Sequence, residues 1–552
     1  MECRERVEDY SSLSYTSFQV HPQMYTWVVS GTPQTKKLQD ILPQIIHQLG
    51  PDNLENLKKS VPEAANTCTK QYVHSRNSPI YSSLLQAAQQ NPRWVNSITR
   101  KPLFIVAPTK VSEIQAAIVC SRENGLQIRV VSGGHDYEGL SYRCKTPFIV
   151  IDLVNYRSID INLELQTAWV QAGATLGELY HKIAGRSDCH AFPAGLFPSV
   201  GVGGHISGGG LGTMVRKFGL AADNIVDATL IDANGKILDR NAMGDDVFWA
   251  IRGGGGASFG IIVSWKLKLV EVPSKVTVFS IDRFGKEARK LVHRWQYIAD
   301  KLSEDLFIRV IIQNSKVNGI KTVKATFNSL FLGEADELIP LMSNAFPELD
   351  LKQENCIEMT WIQSVLYFAG FKDRKVLKVL SDRGTLYKSN FKGKSDFVQN
   401  PIPKIAFEEI WERFTKVESA FILMDPFGGR MDEITEYELP FPHRQGNLFN
   451  IQYLVKWKRD GIRESKRHIE WIRDLYNYMT PYVTHSPRAA YFNYRDLDIG
   501  MNNQDNSSYS QAKIWGQKYF KGNFEKLVQV KTRFDPGNYF RNEQSIPLMK
   551  YA

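Results

Sequence analysis

The segment Pro193–Gly212, PAGLFPSVGVGGHISGGGLG, constrains this chain more than any other stretch of comparable length. Glycine loses more backbone freedom on folding than any other residue, so a run this dense is unfavourable in a helix or strand. It is tolerated where a ligand, or another stretch of backbone, must come closer than a Cβ would allow. A second cluster, Gly253–Gly256, and the pair Gly133-Gly134 repeat the signature. The fold must bring glycine-lined backbone together around something, and each cluster marks a place to look for a site.

The surrounding pattern alternates strands and helices from Lys101 onward. Phe104–Ala107 reads as a strand; Val111, Ile114, Ala117 and Ile118 share one face of a helix capped near Thr109 and stopped by Gly125. Ile128–Val131 is β-rich and leads into Ser132-Gly133-Gly134-His135-Asp136-Tyr137, a loop whose adjacent glycines let backbone N–H groups approach a ligand. Strands are expected at Phe148–Leu153 and Thr167–Ala172, with Thr175 capping a short helix, and an earlier helical pattern covers Ser82–Gln90. Beyond Pro273 come amphipathic helices and strands such as Phe307–Ile312 and Phe449–Val455, read as a second, substrate-facing domain. Asp496–Ser510 reads as a polar loop, and Tyr519–Ile546 as helical, then turn-rich, packing back on the first domain. The division expected is an irregular segment over 1–52, a first domain over 53–273, a second over 274–480 and a returning segment over 481–552.

With 552 residues, 43% of them hydrophobic, the chain can build two or three compact units. It has no uninterrupted apolar run long enough to cross a bilayer, and MECRERVEDYSSLSYTSF lacks the basic-then-apolar order of a secretory signal. The net charge of +10 is scattered among acidic residues, which reads as a solvated surface and argues against nucleic-acid binding. The densest basic stretch, Lys388–Lys394, reads as a polar loop. Six widely spaced cysteines form no C-x-x-C pair, so neither zinc nor a thioredoxin motif is suggested, and one structural disulfide is compatible with them. Asn506-Ser507-Ser508 matches the glycosylation acceptor pattern.

Several familiar motifs are excluded. No G-x-x-x-x-G-K-[ST] loop occurs, and although Gly201 and Gly203 begin a Rossmann spacing, Ile206 stands where its third glycine belongs. Gly256-Ala257-Ser258-Phe259-Gly260 matches G-x-S-x-G, but Ile261–Val270 alternates like a strand where a nucleophile elbow needs a helix, so Ser258 is read as a turn residue. His135 and His205 each follow a glycine pair, a setting that suits ligand contact, and metal binding is the weaker reading for both. Tyr494 in Asn493-Tyr494-Arg495-Asp496 follows a strand-like Ala489–Phe492; it can act as a base only if its surroundings lower its pKa from about 10.

Read together, SGGHDYEGLSY, AWVQAGATLGELY, FPAGLFPSVGVGGHISGGG, GLAADNIVDA, DVFWAIRGGGGASFGI, PFPHRQGN, YFNYRDLD and FRNEQSIP resemble the berberine bridge enzyme-like branch of the vanillyl-alcohol-oxidase-type flavoproteins, from about Pro79 to the C-terminus. The resemblance implies an α+β fold: a two-part FAD-binding domain, built from the N-terminal half and the C-terminal tail, plus a substrate domain with an antiparallel sheet covered by helices. It implies FAD linked covalently through His135, with the pyrophosphate held by Ser132–His135 and the backbone of Gly201–Gly209. The cofactor contacts carried over are Ser132, Gly133, Gly134, His135, Asp136, Ser141, Gly195, Phe197, Val200, Gly201, Gly203, Gly204, His205, Ser207, Gly208, Gly260, Val263, Asn493 and Tyr494. The same resemblance makes Tyr494 the base, supported by Tyr137, with Asn450 and Gln452 lining the pocket; Gln452 stands where the bridge-forming enzyme has a glutamate.

Departures from the family pattern sharpen the expectation. Phe197 replaces a cysteine that forms a second flavin bond, so one covalent link is implied. Val131 stands in place of an arginine and Phe427 in place of a tyrosine, and the family's partner for Cys120 is out of register, Cys68 being nearest. Val200, small and three positions after the lost cysteine, leaves an oxygen path. The first expectation is thus an oxidase of a plant specialised metabolite, phenolic, alcohol or alkaloid, which reduces O2 to hydrogen peroxide and works as a monomer on a small molecule, with no nucleic-acid or membrane partner. The alternative is a cyclase in which FAD is architectural and Arg444 polarises a carbonyl; a third is carbohydrate or polymer binding with a vestigial flavin. The family is usually secreted, wall-associated or vacuolar.

Overall fold

The computed structural model describes residues 72–549 except 97–98, 372–375, 385–387, 459–460 and 503–507, so the expected irregular segment 1–52, Cys68 and Asn506 lie outside the described residues. Two small sheets come first. In one, Phe104–Val106 and Gln127–Val131 run parallel to Phe148–Asp152, which lies between them. The helix Val111–Glu123 makes the crossover. Its first turn is held by the Glu113 carboxylate, which accepts from the N–H groups of Thr109 (2.7 Å) and Lys110 (3.2 Å), with Lys110 at the cap, next to Thr109 as read from the sequence. The other sheet is antiparallel, in the order Ile159–Asn162, Thr167–Gln171, Ile261–Lys268, Ile225–Ile231, Ile237–Leu238. Thr175 caps the helix Leu176–Arg186, as read from the sequence.

A seven-stranded sheet follows, ordered Ile357–Met359, Val276–Phe284, Ile320–Phe331, Leu306–Val317, Ala420–Pro426, Phe449–Trp457, Asn390–Val398, with every neighbouring pair antiparallel. Alternation decides its two faces. Val310, Ile312, Ile422, Met424, Ile451 and Tyr453 point into a core completed by the helices Gly285–Trp295, Lys404–Thr415 and Ile462–Tyr478. Their neighbours in sequence, Arg309, Ile311, Leu423, Asp425, Asn450 and Gln452, form the opposite face in register. The helices Tyr509–Phe520 and Asn523–Phe534 return Trp515, Phe524 and Leu527 to the first core, beside Ile206, Ala228 and Trp249. The result is the α+β fold expected.

Three readings are corrected. Lys388–Lys394 is not a solvated loop: Asn390–Val398 is the terminal strand of the large sheet, and Lys392 and Lys394 are buried among carboxylates. Ala489–Phe492 is not a strand, because its N–H groups go to scattered acceptors: Ala489 to Thr484 Oγ1, Ala490 to the Lys518 carbonyl and Tyr491 to Ser395 Oγ. Among the described residues Cys120 is a free thiol, whereas Cys189 is disulfide-bonded.

Candidate active site

The glycine clusters first serve chain crossing. A Cβ on Gly133 would collide with the Gly201 backbone, and Gly134, at φ +73°, lies against the Ala88 carbonyl; Gly208 abuts the Asn493 side chain. Of the glycines in Pro193–Gly212, Gly204 alone has nothing within 4 Å of its Cβ position. The crossing leaves a second feature that answers the expectation of a ligand. The backbone N–H groups of Gly133, Gly134, His135 and Asp136 meet no acceptor among the described residues, and the buried Ser141 hydroxyl has no partner. A row of unpaired N–H groups in a turn suits a phosphate oxygen. The residues present therefore fit the pyrophosphate of FAD.

Around that row the other expected cofactor residues fall as follows. Ser132 Oγ donates to the Ala172 carbonyl (2.5 Å). His135 Nε2 lies 3.1 Å from Ser199 Oγ, and burial, opposed by a hydrogen bond to the Ser199 backbone, pushes its pKa down to about 4, so the ring is neutral. Its side chain is half-buried. Phe197, on the loop that carries Ser199, is 62% exposed, a large apolar side chain open to solvent. Val200 is partly buried against the first core. His205 Nε2 accepts from the Gly195 N–H (3.0 Å), and burial pushes its pKa down to about 4 as well. Ser207 Oγ donates to the Gly203 carbonyl (2.6 Å), and the Ser207 carbonyl accepts from Gly253 and Gly255, which docks the second glycine cluster here. Asn493 Nδ2 donates to the His205 carbonyl (2.9 Å). Asp136 closes its own turn through the N–H of Glu138 (2.9 Å) and pairs with Arg495 (2.7 Å). Val263 and Gly260 are packed into the antiparallel sheet and the turn before it. Ser258 holds that turn: its carbonyl accepts from Lys531 Nζ and its Oγ from the Ile546 N–H (3.1 Å), the structural role read for it.

Tyr137 and Tyr494 meet where this loop faces the large sheet, their rings stacked with centroids 5.7 Å apart. Phe391 packs edge-on against Tyr137 (5.0 Å), and Tyr491 edge-on against Tyr494 (4.9 Å). Gln452 Nε2 donates to the Tyr137 hydroxyl. The Tyr494 hydroxyl has no protein partner among the described residues. Burial, then the Asp425 carboxylate and Tyr137, push the Tyr494 phenol well above 10, with the Arg309 guanidinium opposing them. Burial likewise raises Tyr137 against the bond from Gln452. Asn450 is fully buried, donates to the Asp396 carbonyl (3.1 Å) and keeps an unpartnered Oδ1.

Arg444 is corrected. It is 1% exposed and clamped on Asp223 by both terminal nitrogens (2.9 and 2.7 Å), so it cannot reach a substrate carbonyl. The sequence reading missed Arg309 and Asp425, which form a two-point ion pair (2.5 and 2.7 Å) in the same row of the sheet as Asn450. Their alternation with core residues marks the strand face, but nothing in one strand reveals which residues its neighbours place alongside.

The comparisons with known proteins agree with this geometry. The family model described as "FAD binding domain" matches residues 102–241, and the one described as "Berberine and berberine like" matches residues 490–547. Fold, cradle and match together define an FAD-dependent oxidoreductase acting on a small molecule. The chain is 53% identical over 478 residues to berberine bridge enzyme-like 22 of Arabidopsis thaliana, covering 86% of this chain and 90% of that one. It is 49% identical to the tetrahydroberberine oxidase of Berberis wilsoniae, over 86% of this chain and 91% of the relative. Two solved structures of the pollen protein Phl p 4, the wild type, a glucose dehydrogenase, and an isoleucine-to-valine variant, a glucose oxidase, each match with a TM-score of 0.84 at 46% identity, over 91% of this chain and 100% of theirs. The chain belongs to the berberine bridge enzyme-like family. Among the described residues no helix is long and apolar enough to cross a membrane.

Proposed function

We propose that this oxidoreductase oxidises a neutral, polyhydroxylated alcohol or hemiacetal of the sugar type, with Tyr494 receiving the hydroxyl proton and O2 taking the electrons on to hydrogen peroxide. The observation that carries the reading is the face beside the two tyrosines. Its acidic group, Asp425, is neutralised by Arg309, and the row is flanked by two amide oxygens, Asn328 Oδ1 and Asn450 Oδ1, that have no donor. Such a surface asks for hydroxyl donors and offers no free carboxylate to a cationic amine. The glucose dehydrogenase activity named for Phl p 4 supports the same substrate class.

FAD, when bound, supplies the two-electron acceptor for the substrate's C–H electron pair. The chain's own residues do the rest. Gln452 occupies the Tyr137 hydroxyl, leaving the Tyr494 oxygen as the phenol free to take the substrate proton. Only its ionised form can accept that proton, and the raised pKa makes this form scarce at neutral pH. We also propose a single covalent flavin link at His135, monomeric assembly, and the division into residues 53–273, 274–480 and 481–552. An aromatic floor of Tyr137, Tyr494 and Phe391 supports a second reading, a phenolic or alkaloid substrate stacked on the rings. The cyclase reading loses its carbonyl-polarising group with Arg444. Anaerobic mixing with D-glucose or with tetrahydroberberine tests the proposal: bleaching of the flavin by glucose supports it, and bleaching by tetrahydroberberine alone replaces it with the second reading.

A further inference from the structure

We propose that Lys392 is a positioning residue for the tyrosine pair, its buried ammonium fixing the register in which Tyr137 and Tyr494 stack; this rests on the reading of Tyr494 as the proton acceptor. Lys392 is 2% exposed on the terminal strand of the large sheet. Its Nζ contacts Glu138 Oε1 and lies 2.5 Å from Asp496 Oδ1. Glu138 follows Tyr137 directly, and Asp496 stands two residues after Tyr494. The ammonium thus joins the two loops that carry the rings. Asp136 and Arg495 also pair, at 2.7 Å, so Tyr137 is flanked on both sides, and Tyr494 is followed, by residues tied to the other's loop. Gly393, the next residue of the strand, brings its backbone so close to the Tyr137 ring that a Cβ would clash.

The tie is an alternating network of buried and half-buried cations and carboxylates. Burial alone would lower the Lys392 pKa, but Asp496, Glu138 and Asp498 outweigh it and hold the group protonated. Lys394 completes the site at 2.6 Å from Asp496 and 3.0 Å from Asp498, Arg473 caps Asp498 (2.6 Å), and Arg93 caps Glu138 (2.7 Å). A network confined to stability could sit anywhere. This one spans the two loops whose relative placement sets the distance from the Tyr494 oxygen to substrate, where a displacement of about 1 Å can cost orders of magnitude in rate.

The test uses FAD-loaded holoenzyme and the variants Lys392→Met, Lys392→Arg, Glu138→Gln and Tyr494→Phe. Anaerobic reduction by D-glucose is followed by stopped flow, and crystal structures give the ring geometry whether or not glucose is a substrate. Lys392→Met is expected to move the centroids by about 1 Å and to slow limiting reduction by about tenfold or more, with half-saturation within about twofold and FAD content unchanged; Lys392→Arg is expected to recover most of the rate. A Lys392→Met protein with the wild-type stack, or one whose rate falls only in proportion to lost FAD, overturns the inference. Should Lys392→Met fail to fold, Glu138→Gln, which weakens the contact of the same ammonium, must displace the stack, and an unchanged stack there overturns it equally. Tyr494→Phe separates the two claims. A wild-type rate in that variant removes the acceptor reading and this inference with it, whereas a slow Tyr494→Phe beside a fast Lys392→Met removes the inference alone.

Discussion

The rings of Tyr137 and Tyr494 stand 18° from parallel with centroids 5.7 Å apart, one in the loop after a parallel strand and the other in a turn near the C-terminus. A stacked pair contributes about 0.5–1.5 kcal/mol beyond the area it buries. Its greater consequence is a division of labour between two similar groups. The Tyr137 hydroxyl is engaged by Gln452, while the Tyr494 hydroxyl faces Arg309 and Asp425 without a bonded partner.

That division gives the first prediction. Tyr494→Phe keeps the ring and its packing and removes only the oxygen. Flavin reduction should slow by about a hundredfold or more, the usual contribution of a general base, with FAD content unchanged. Stopped-flow reduction at the wild-type rate would show that another group takes the proton.

The second prediction concerns pH. Because burial, Asp425 and Tyr137 hold the Tyr494 pKa well above 10, the phenolate fraction grows tenfold per pH unit across the accessible alkaline range. The limiting rate of flavin reduction should climb with a slope near one from neutral pH to about pH 10 and reach no plateau below it. His135 and His205, pushed down to about 4, stay neutral throughout and add no limb above pH 6. A plateau near pH 7 would place the base elsewhere.

What was legible in the sequence follows from how local each signal is. The cap at Thr175, the stop at Gly125 and the strand character of Ile261–Val270 depend on neighbours within a few residues, and the structure has them where the pattern put them. The glycine clusters were legible as close approaches, although most of them accommodate another stretch of chain. Lys392 was illegible because its partners, Glu138 and Asp496, belong to segments far away in sequence, and a charge shows in the sequence while its burial does not. Ala489–Phe492 has strand composition but no neighbouring strand to pair with. Arg444 looked available for the same reason that Lys392 looked solvated, since Asp223 is supplied by the fold.

A third prediction concerns stability. Asp152 ends a central strand, and burial raises its pKa to about 7 against the bond from the Val154 N–H (3.0 Å) and the Arg383 charge. The unfolded value is about 3.9, so between pH 4 and 7 the folded state holds a proton that the unfolded chain releases, and stability falls as pH rises through that window. Asp152→Asn keeps an oxygen for the Val154 N–H and removes the buried charge. The variant should unfold with the wild type near pH 4 and be more stable at pH 8, by about 1–2 kcal/mol after relaxation, below the upper limit of about 4 kcal/mol set by a three-unit shift. Equal thermal midpoints at pH 8 would contradict it.

The fourth prediction concerns oxygen. Val200 lies beside the exposed Phe197 on the loop that reaches His135 through Ser199. Val200→Leu should slow reoxidation of reduced enzyme by about tenfold or more while leaving reduction by substrate within about twofold. Identical reoxidation traces for the two proteins would remove Val200 from oxygen access.

The fifth prediction concerns the flavin link. His135 is neutral and held against Ser199, with Nε2 3.1 Å from its Oγ, and a neutral imidazole keeps a nitrogen lone pair that can act as a nucleophile. Phe197, exposed on the facing loop, offers a phenyl ring where a thiol would be needed for a second bond. One covalent link is therefore expected. Acid-precipitated protein should stay yellow, and its flavin peptide should contain His135. His135→Ala should release FAD on precipitation while still binding it in the folded state, because the unpaired N–H groups of Gly133, Gly134 and Asp136 remain in place for the pyrophosphate. Free FAD from the wild-type protein, or a flavin peptide mapping elsewhere, would remove His135 from the attachment and leave the glycine-lined cradle as the sole hold on the cofactor.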